Sequence, residues 1–289
     1  MSATALFPAP TLPLDVHTLL RPEDLEAYAR ELPIATNVLP RLQSLLRAEE
    51  TSISDVVDLV MLDPGLAVRI VQAAGSRRFG CGLPPTSLAD ALLRLGSDEV
   101  YRVTAAFALS RFLNRPLRCY GLGPAEFWRS SVVCALTMVD LAPASGLDPR
   151  AAYTVGLLHA TGKVFIDRHL RCVGAPDLSF AHAPAGELPR AEAALTGMDH
   201  AKVAAFVLRV WGFGEEIAEP VEHQLRPGGS LRHRGMTSLL AEARALAAEV
   251  IAVLPPSGVE PARPLRELLP DEWRAALADR ILGFERTEG

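Results

Sequence analysis

No segment of this chain alternates. A half-buried strand needs apolar and polar residues in turn, enriched in Val, Ile, Thr and aromatics and closed by Asn-Gly or Asp-Gly turns, and no such run occurs. Apolar residues recur instead at three- and four-residue spacing among Ala, Leu, Arg and Glu, the signature of amphipathic helices. The helix starts are marked. Asp63-Pro64 and Asp148-Pro149 each place a capping carboxylate before a proline at the first helical position. Ser52 and Asp55 have the spacing of a capping box ahead of Val56, Val57 and Val60. Gly75, Gly96 and Gly146 fall where helices should stop. The expected fold class is all-α.

Three regions follow from these signals. Residues 1–30 form a proline-rich arm and a short helix after Pro22. Residues 31–113 carry a series of helices, the last from about Ser97 to Leu113 and apolar nearly all round its middle, as a central buried helix would be. A connector, NRPLRCYGLGP (114–124), leads to a second helical set over 125–227. Residues 228–289 form a C-terminal extension: an amphipathic helix at 236–253, a proline-rich linker and a short helix around Trp273. The expectation is two helical bundles packed together, with the extension supplying candidate partner-docking or dimerisation elements.

Composition narrows the class. The formal net charge is −5, which argues against nucleic acid as an obligatory partner. The short basic clusters Arg77-Arg78 and Arg232-His233-Arg234 are expected to be solvated turns. The best candidate for a membrane span, Val103–Leu109, is bracketed by Arg102 and Arg111 and is too short to span a bilayer. The N-terminus lacks the basic start and apolar run of a signal peptide. Cys81, Cys119, Cys134 and Cys172 show no Cys-x-x-Cys or zinc spacing, and are expected as reduced thiols, most of them core residues. A soluble cytoplasmic protein is expected. Only Lys163 and Lys202 are lysines.

The string GLLHATGK (156–163) is not a phosphate-binding loop. Five residues rather than four separate its glycines, Val164 follows Lys163, and a helix precedes it instead of a strand. It resembles the His-Asp motif of the HD superfamily of metal-dependent phosphohydrolases, commonly GLLHDIGK, with Ala160 at the position of the Asp. In that superfamily the adjacent His and Asp are metal ligands and the metal activates a water. A methyl group cannot coordinate a cation. The preceding helix, FWRSSVVCAL, has Ser130 or Ser131 where the superfamily carries another His, with Ser130 taken for the pocket. Farther on, GMDHAKVAAFVLRVWGFGEEIAEPVEHQ keeps His200 and His223, although Pro220 leaves the facing of His223 open. No acid that would orient these histidines is recognisable. His200 shares a helical stripe with Val203, Val207 and Val210, which favours a packed position.

Three N-terminal segments complete the resemblance: ELPIATNVLPRLQSLL (31–46), ISDVVDLVMLDPGLAVRIVQAAGSRRFG (53–80) and PPTSLADALLRLGSDEVYRV (84–103). With the second set they resemble the HDOD domain, the HD-related output domain of bacterial signalling proteins, over residues 31–227. The resemblance implies an N-terminal helical subdomain (31–113) joined to an HD-like subdomain (125–227). It implies a vestigial pocket of Ser130, His159, Ala160, Lys163, His200 and His223, with no catalytic residue, no metal and no cofactor. The expected function is regulatory: binding a protein partner of a signalling pathway, or a small phosphorylated ligand near Lys163. The competing expectation is a divergent phosphohydrolase acting on a nucleotide or phosphoester through His159, His200 and His223.

Overall fold

A computed structural model describes residues 18–31, 35–47, 52–76, 79, 84–112, 116–175, 179–181, 183–184, 186–255, 276–278 and 281. The proline-rich arm, Arg77-Arg78, Cys81, the linker beyond 255 and Trp273 lie outside them. The fold is all-α, and the described residues contain helices and short 3-10 turns but no strand.

The first helical set consists of α2 (Ala35–Arg47), α3 (Ile53–Met61), α4 (Pro64–Gly75) and α5 (Leu88–Phe112). The caps are those the residues specify. Ser52 and Asp55 form a reciprocal capping box on α3, and the Asp63 carboxylate accepts the amides of Gly65 and Leu66 at the start of α4. At Gly96 φ is +72°, a left-handed conformation that costs glycine little, and α5 breaks there into two helical pieces. The second piece buries Val100, Tyr101, Val103, Ala105 and Ala106, as its all-round apolar character requires.

The second helical set holds α6 (Pro124–Leu141), α7 (Pro149–Leu158), α8 (Gly162–Cys172), α9 (Leu188–Thr196), α10 (His200–Val210) and α11 (Glu215–Glu222). Two elements from outside its sequence range complete it. α1 (Pro22–Arg30) lies on α10, where the Trp211 indole N–H donates to the Ala29 carbonyl at 3.2 Å and Tyr28 reaches His169 at 3.4 Å. α12 (Arg234–Val253) lies along α6 and α11, burying Met236, Leu239, Leu240, Ala243, Ala247 and Val250. The apolar stripe of this helix, a candidate docking or dimerisation element, is covered by its own bundle.

The two helical sets meet through α5 and α7, with polar groups at the contact. Arg150 Nε donates to Asp98 at 2.6 Å, Nη2 to Ser97 at 2.8 Å and Nη1 to the Leu46 carbonyl at 3.2 Å. Beneath it, Tyr101 and Thr154 share a buried hydrogen bond of 2.5 Å. A single apolar cluster runs through both sets.

The turn between α11 and α12 is tied to one carboxylate. Glu219 Oε1 accepts the Ser230 hydroxyl at 2.8 Å and the amides of Leu231 and Arg232 at 2.8 and 2.9 Å. Burial pushes its carboxyl up, but these amides and the hydroxyl favour the ionised form more strongly and hold it down at about 2. The folded value lies below the ordinary 4.5, so the stabilisation is fully present above that pH and is lost as pH falls towards 2. The wild type is expected to lose stability across that window more steeply than Glu219→Gln, as read from denaturation midpoints at pH 6, 4 and 2.5. Parallel pH curves would exclude the role. Arg232 and Arg234 stay exposed on this turn, as expected of a solvated cluster.

Candidate functional site

The pocket begins where α7 ends. α6 and α7 are joined by a short connection and run antiparallel, so close that a Cβ at Gly156 would sit 2.7 Å from the Ala135 Cα. One turn beyond Gly156 comes His159, buried and at the helix C-cap. One turn before Ala135 on α6 comes Ser131. Ser131 is buried and its hydroxyl has no partner among the described residues. Ser130 is half-buried, and its hydroxyl donates to the Phe127 carbonyl at 2.8 Å. Of the two serines expected as alternatives at this position, Ser131 is the one whose buried hydroxyl is left free, whereas that of Ser130 is occupied within α6.

At Gly162 the chain turns into α8 against the N-terminus of α10, with no room for a side chain beside the His200 carbonyl. This crossing brings His159 and Lys163 together with His200. His159 Nδ1 lies 2.7 Å from the Gly156 carbonyl and His200 Nδ1 lies 2.7 Å from Glu192 Oε2. Both rings are thus held with Nδ1 as the donor and Nε2 bare. Glu192, on α9, is fully buried, and it also accepts the His200 amide at 2.8 Å and the Tyr120 hydroxyl at 2.8 Å. It is the orienting acid that the sequence did not reveal; the only signal was a Glu eight residues before His200 on a separate helix.

His223 is elsewhere. Its ring lies by Gly229, whose Cβ would fall 2.8 Å from Nδ1. Among the groups whose charge acts on His159 and His200, His223 does not figure. Pro220, inside α11, is followed by a helix end at His223 that turns the ring towards the 227–229 turn. Lys202 is exposed on α10, so only one of the two lysines belongs to the pocket. Trp211 is buried against Phe165, their ring centroids 5.9 Å apart, and Trp128 is half-buried. Cys119 and Cys134 are buried thiols, with burial pushing Cys134 up to about 12, while Cys172 is exposed.

Arg244 of α12 is the unexpected member. Its Nη1 donates to the Gln224 carbonyl at 3.3 Å, and Gln224 in turn donates through Nε2 to the His159 carbonyl at 2.7 Å. Two cations, Lys163 and Arg244, thus stand near His159. Burial, with Arg244 and Lys163 nearby, holds His159 down at about 3. Burial also lowers His200, Lys163 and Arg244, Glu192 opposing the shift at the first two.

The HD superfamily implies a divalent metal here, and the donor set does not fit one. Such an ion needs lone pairs, preferably including carboxylates, with its charge compensated. Ala160 offers a methyl group, His223 is turned away, and Lys163 and Arg244 add positive charge. Among the described residues no three His, Cys, Asp or Glu are arranged to hold a metal ion.

The HDOD domain family matches residues 32–227, more than half of the chain. The chain belongs to the HDOD family. A search of curated proteins returns no match. Among solved structures, an HDOD domain protein from Geobacter sulfurreducens is 23% identical, covers 93% of this chain and 90% of its own, and superposes with a TM-score of 0.60. A candidate phosphohydrolase from Shewanella amazonensis is 22% identical, with 92% and 97% covered and a TM-score of 0.64. A candidate signal transduction protein from Marinobacter aquaeolei is 23% identical with a TM-score of 0.64, and this chain, 91% covered, spans 59% of it. These likenesses establish the shared all-helical HDOD fold. Within the described residues no helix is long and apolar enough to cross a membrane.

Proposed function

We propose that this HDOD protein is a non-catalytic regulatory component of bacterial cytoplasmic signalling, acting by binding a protein partner or small ligand. One observation carries the reading: where HD phosphohydrolases hold a metal, this pocket has Ala160 in place of the acid and the cations Lys163 and Arg244 beside the two remaining histidines. Water activation by a metal needs a bound cation, and two resident cations repel one. The signal-transduction description of the Marinobacter aquaeolei relative agrees with this role. The physical means is a change of angle between the two subdomains at the Arg150–Asp98 contact, a rigid-body shift of packed helices.

The competing reading, a divergent phosphohydrolase, draws on the orientation of His159 and His200, both with Nε2 bare as in metal ligands. Elemental analysis of the purified protein with phosphatase and phosphodiesterase assays separates the two. The expected result is no stoichiometric zinc, iron or manganese and no turnover. Ala160→Asp alone is expected to leave the pocket without metal, because both cations remain. Stoichiometric metal accompanied by turnover in the wild type would overturn the regulatory reading.

A further inference from the structure

Lys163 and Arg244 are half-buried cations that form no ion pair among the described residues. Lys163 Nζ stands 5.6 Å from the centroid of the Tyr120 ring, and Arg244 has only the Gln224 carbonyl as a hydrogen-bond acceptor. A charge removed from water without a counter-charge is costly. Glu192, held by Tyr120 and by the amide and ring of His200, offsets Lys163 in part, and no acid does so for Arg244 among the described residues. Two further buried polar atoms are without partners among the described residues: Gln224 Oε1, on the residue whose carbonyl Arg244 contacts, and the Ser131 hydroxyl of α6. An amide whose oxygen is bare while its nitrogen is fully used, and a hydroxyl free to donate, describe a pocket built around something it does not itself contain.

We propose that Lys163 and Arg244 form a binding site for a small phosphoryl oxyanion, completed by the Ser131 hydroxyl. A tetrahedral phosphoryl group presents oxygens to an ammonium and to the guanidinium fork at once, which the two oxygens of a planar carboxylate do less readily. The site replaces the superfamily's metal with two protein cations, one of them from α12, beyond residue 227 where the family match ends. Occupancy therefore ties α12 to α8 and to the α7 C-terminus, through which the pocket communicates with the Arg150 contact between subdomains. The inference rests on reading the pocket as non-catalytic.

Calorimetric titration with inorganic phosphate, with acetate and chloride at matched ionic strength as controls, tests the site. Phosphate is expected to bind and to raise Tm while acetate and chloride do not. Arg244→Gln and Lys163→Gln should each weaken phosphate binding at least about tenfold, Arg244→Lys should recover part of the loss, and Lys202→Gln, on the exposed face of α10, should change nothing. Circular dichroism melts of each variant establish that a loss of binding is not a loss of fold. Absence of binding at roughly 10 mM phosphate, an unchanged Kd in both glutamine variants, or acetate binding as tightly as phosphate would each overturn the proposal. The regulatory reading stands or falls separately, on metal content and turnover.

Discussion

Gly162→Ala should destabilise the protein by about 3–4 kcal/mol, beyond the ordinary range for a single methyl group because the clash is with backbone. The added Cβ would fall against the His200 carbonyl oxygen and 2.8 Å from the Ala204 amide nitrogen. Neither atom can rotate away, since both belong to the first turns of α10, whose Ala201, Val203 and Ala204 are completely buried. Relief requires α8 and α10 to separate, which opens the core around Phe165 and Val207. For a chain of this size such a cost lowers Tm on the order of 10 °C. Gly186→Ala is the control, since nothing lies within 4 Å of a Cβ there, and it should stay within about 0.5 kcal/mol of the wild type. Urea denaturation of the two variants side by side decides the matter. Equal midpoints would mean that α8 and α10 do not cross at Gly162.

Glu192→Ala is expected to cost about 3 kcal/mol, as removal of one partner from a buried, hydrogen-bonded charged group does. The carboxylate is fully buried and accepts three hydrogen bonds, all between 2.7 and 2.8 Å, from Tyr120, the His200 amide and the His200 ring. Alanine leaves the three donors without an acceptor and a cavity where the carboxylate stood. The change has a second, local consequence. Glu192 keeps the proton of the neutral His200 ring on Nδ1, so its loss releases the tautomer. Nitrogen-15 spectra of the histidine rings should show His200 protonated at Nδ1 in the wild type and mixed in Glu192→Ala. Glu192→Gln, which keeps an acceptor oxygen, should recover part of the stability. A stability change below about 1 kcal/mol with an unchanged tautomer would show that Glu192 does not hold this ring.

These two positions mark the line between what is legible in the residues and what is not. Gly162 stands in the GLLHATGK string, so its importance could be read, although its reason, the approach of α10, could not. Glu192 stands in an ordinary helical stretch, LPRAEAALT, and nothing local distinguishes it from a solvated glutamate. Helix starts were legible because capping is a contact over two or three residues, and Asp63, Ser52 and Asp148 cap as their spacing requires. The same holds for the break at Gly96, which a local backbone conformation decides.

The pocket itself divides the same way. Sequence alone established the all-helical class, the HDOD resemblance and the loss of the metal-binding acid at Ala160, because each is a matter of residue identity and short-range period. Tertiary structure alone decided that Ser131 and not Ser130 is buried with a hydroxyl free among the described residues, that the His223 ring lies beside Gly229, and that Arg244 arrives from α12. Those outcomes depend on the register between packed helices and on contacts between residues far apart in the chain. Helical periodicity says which face of a helix is buried, but not which neighbour buries it. A missing carboxylate can therefore be read from one position, whereas the cation that stands beside the gap can be seen only once α12 has folded back onto the bundle.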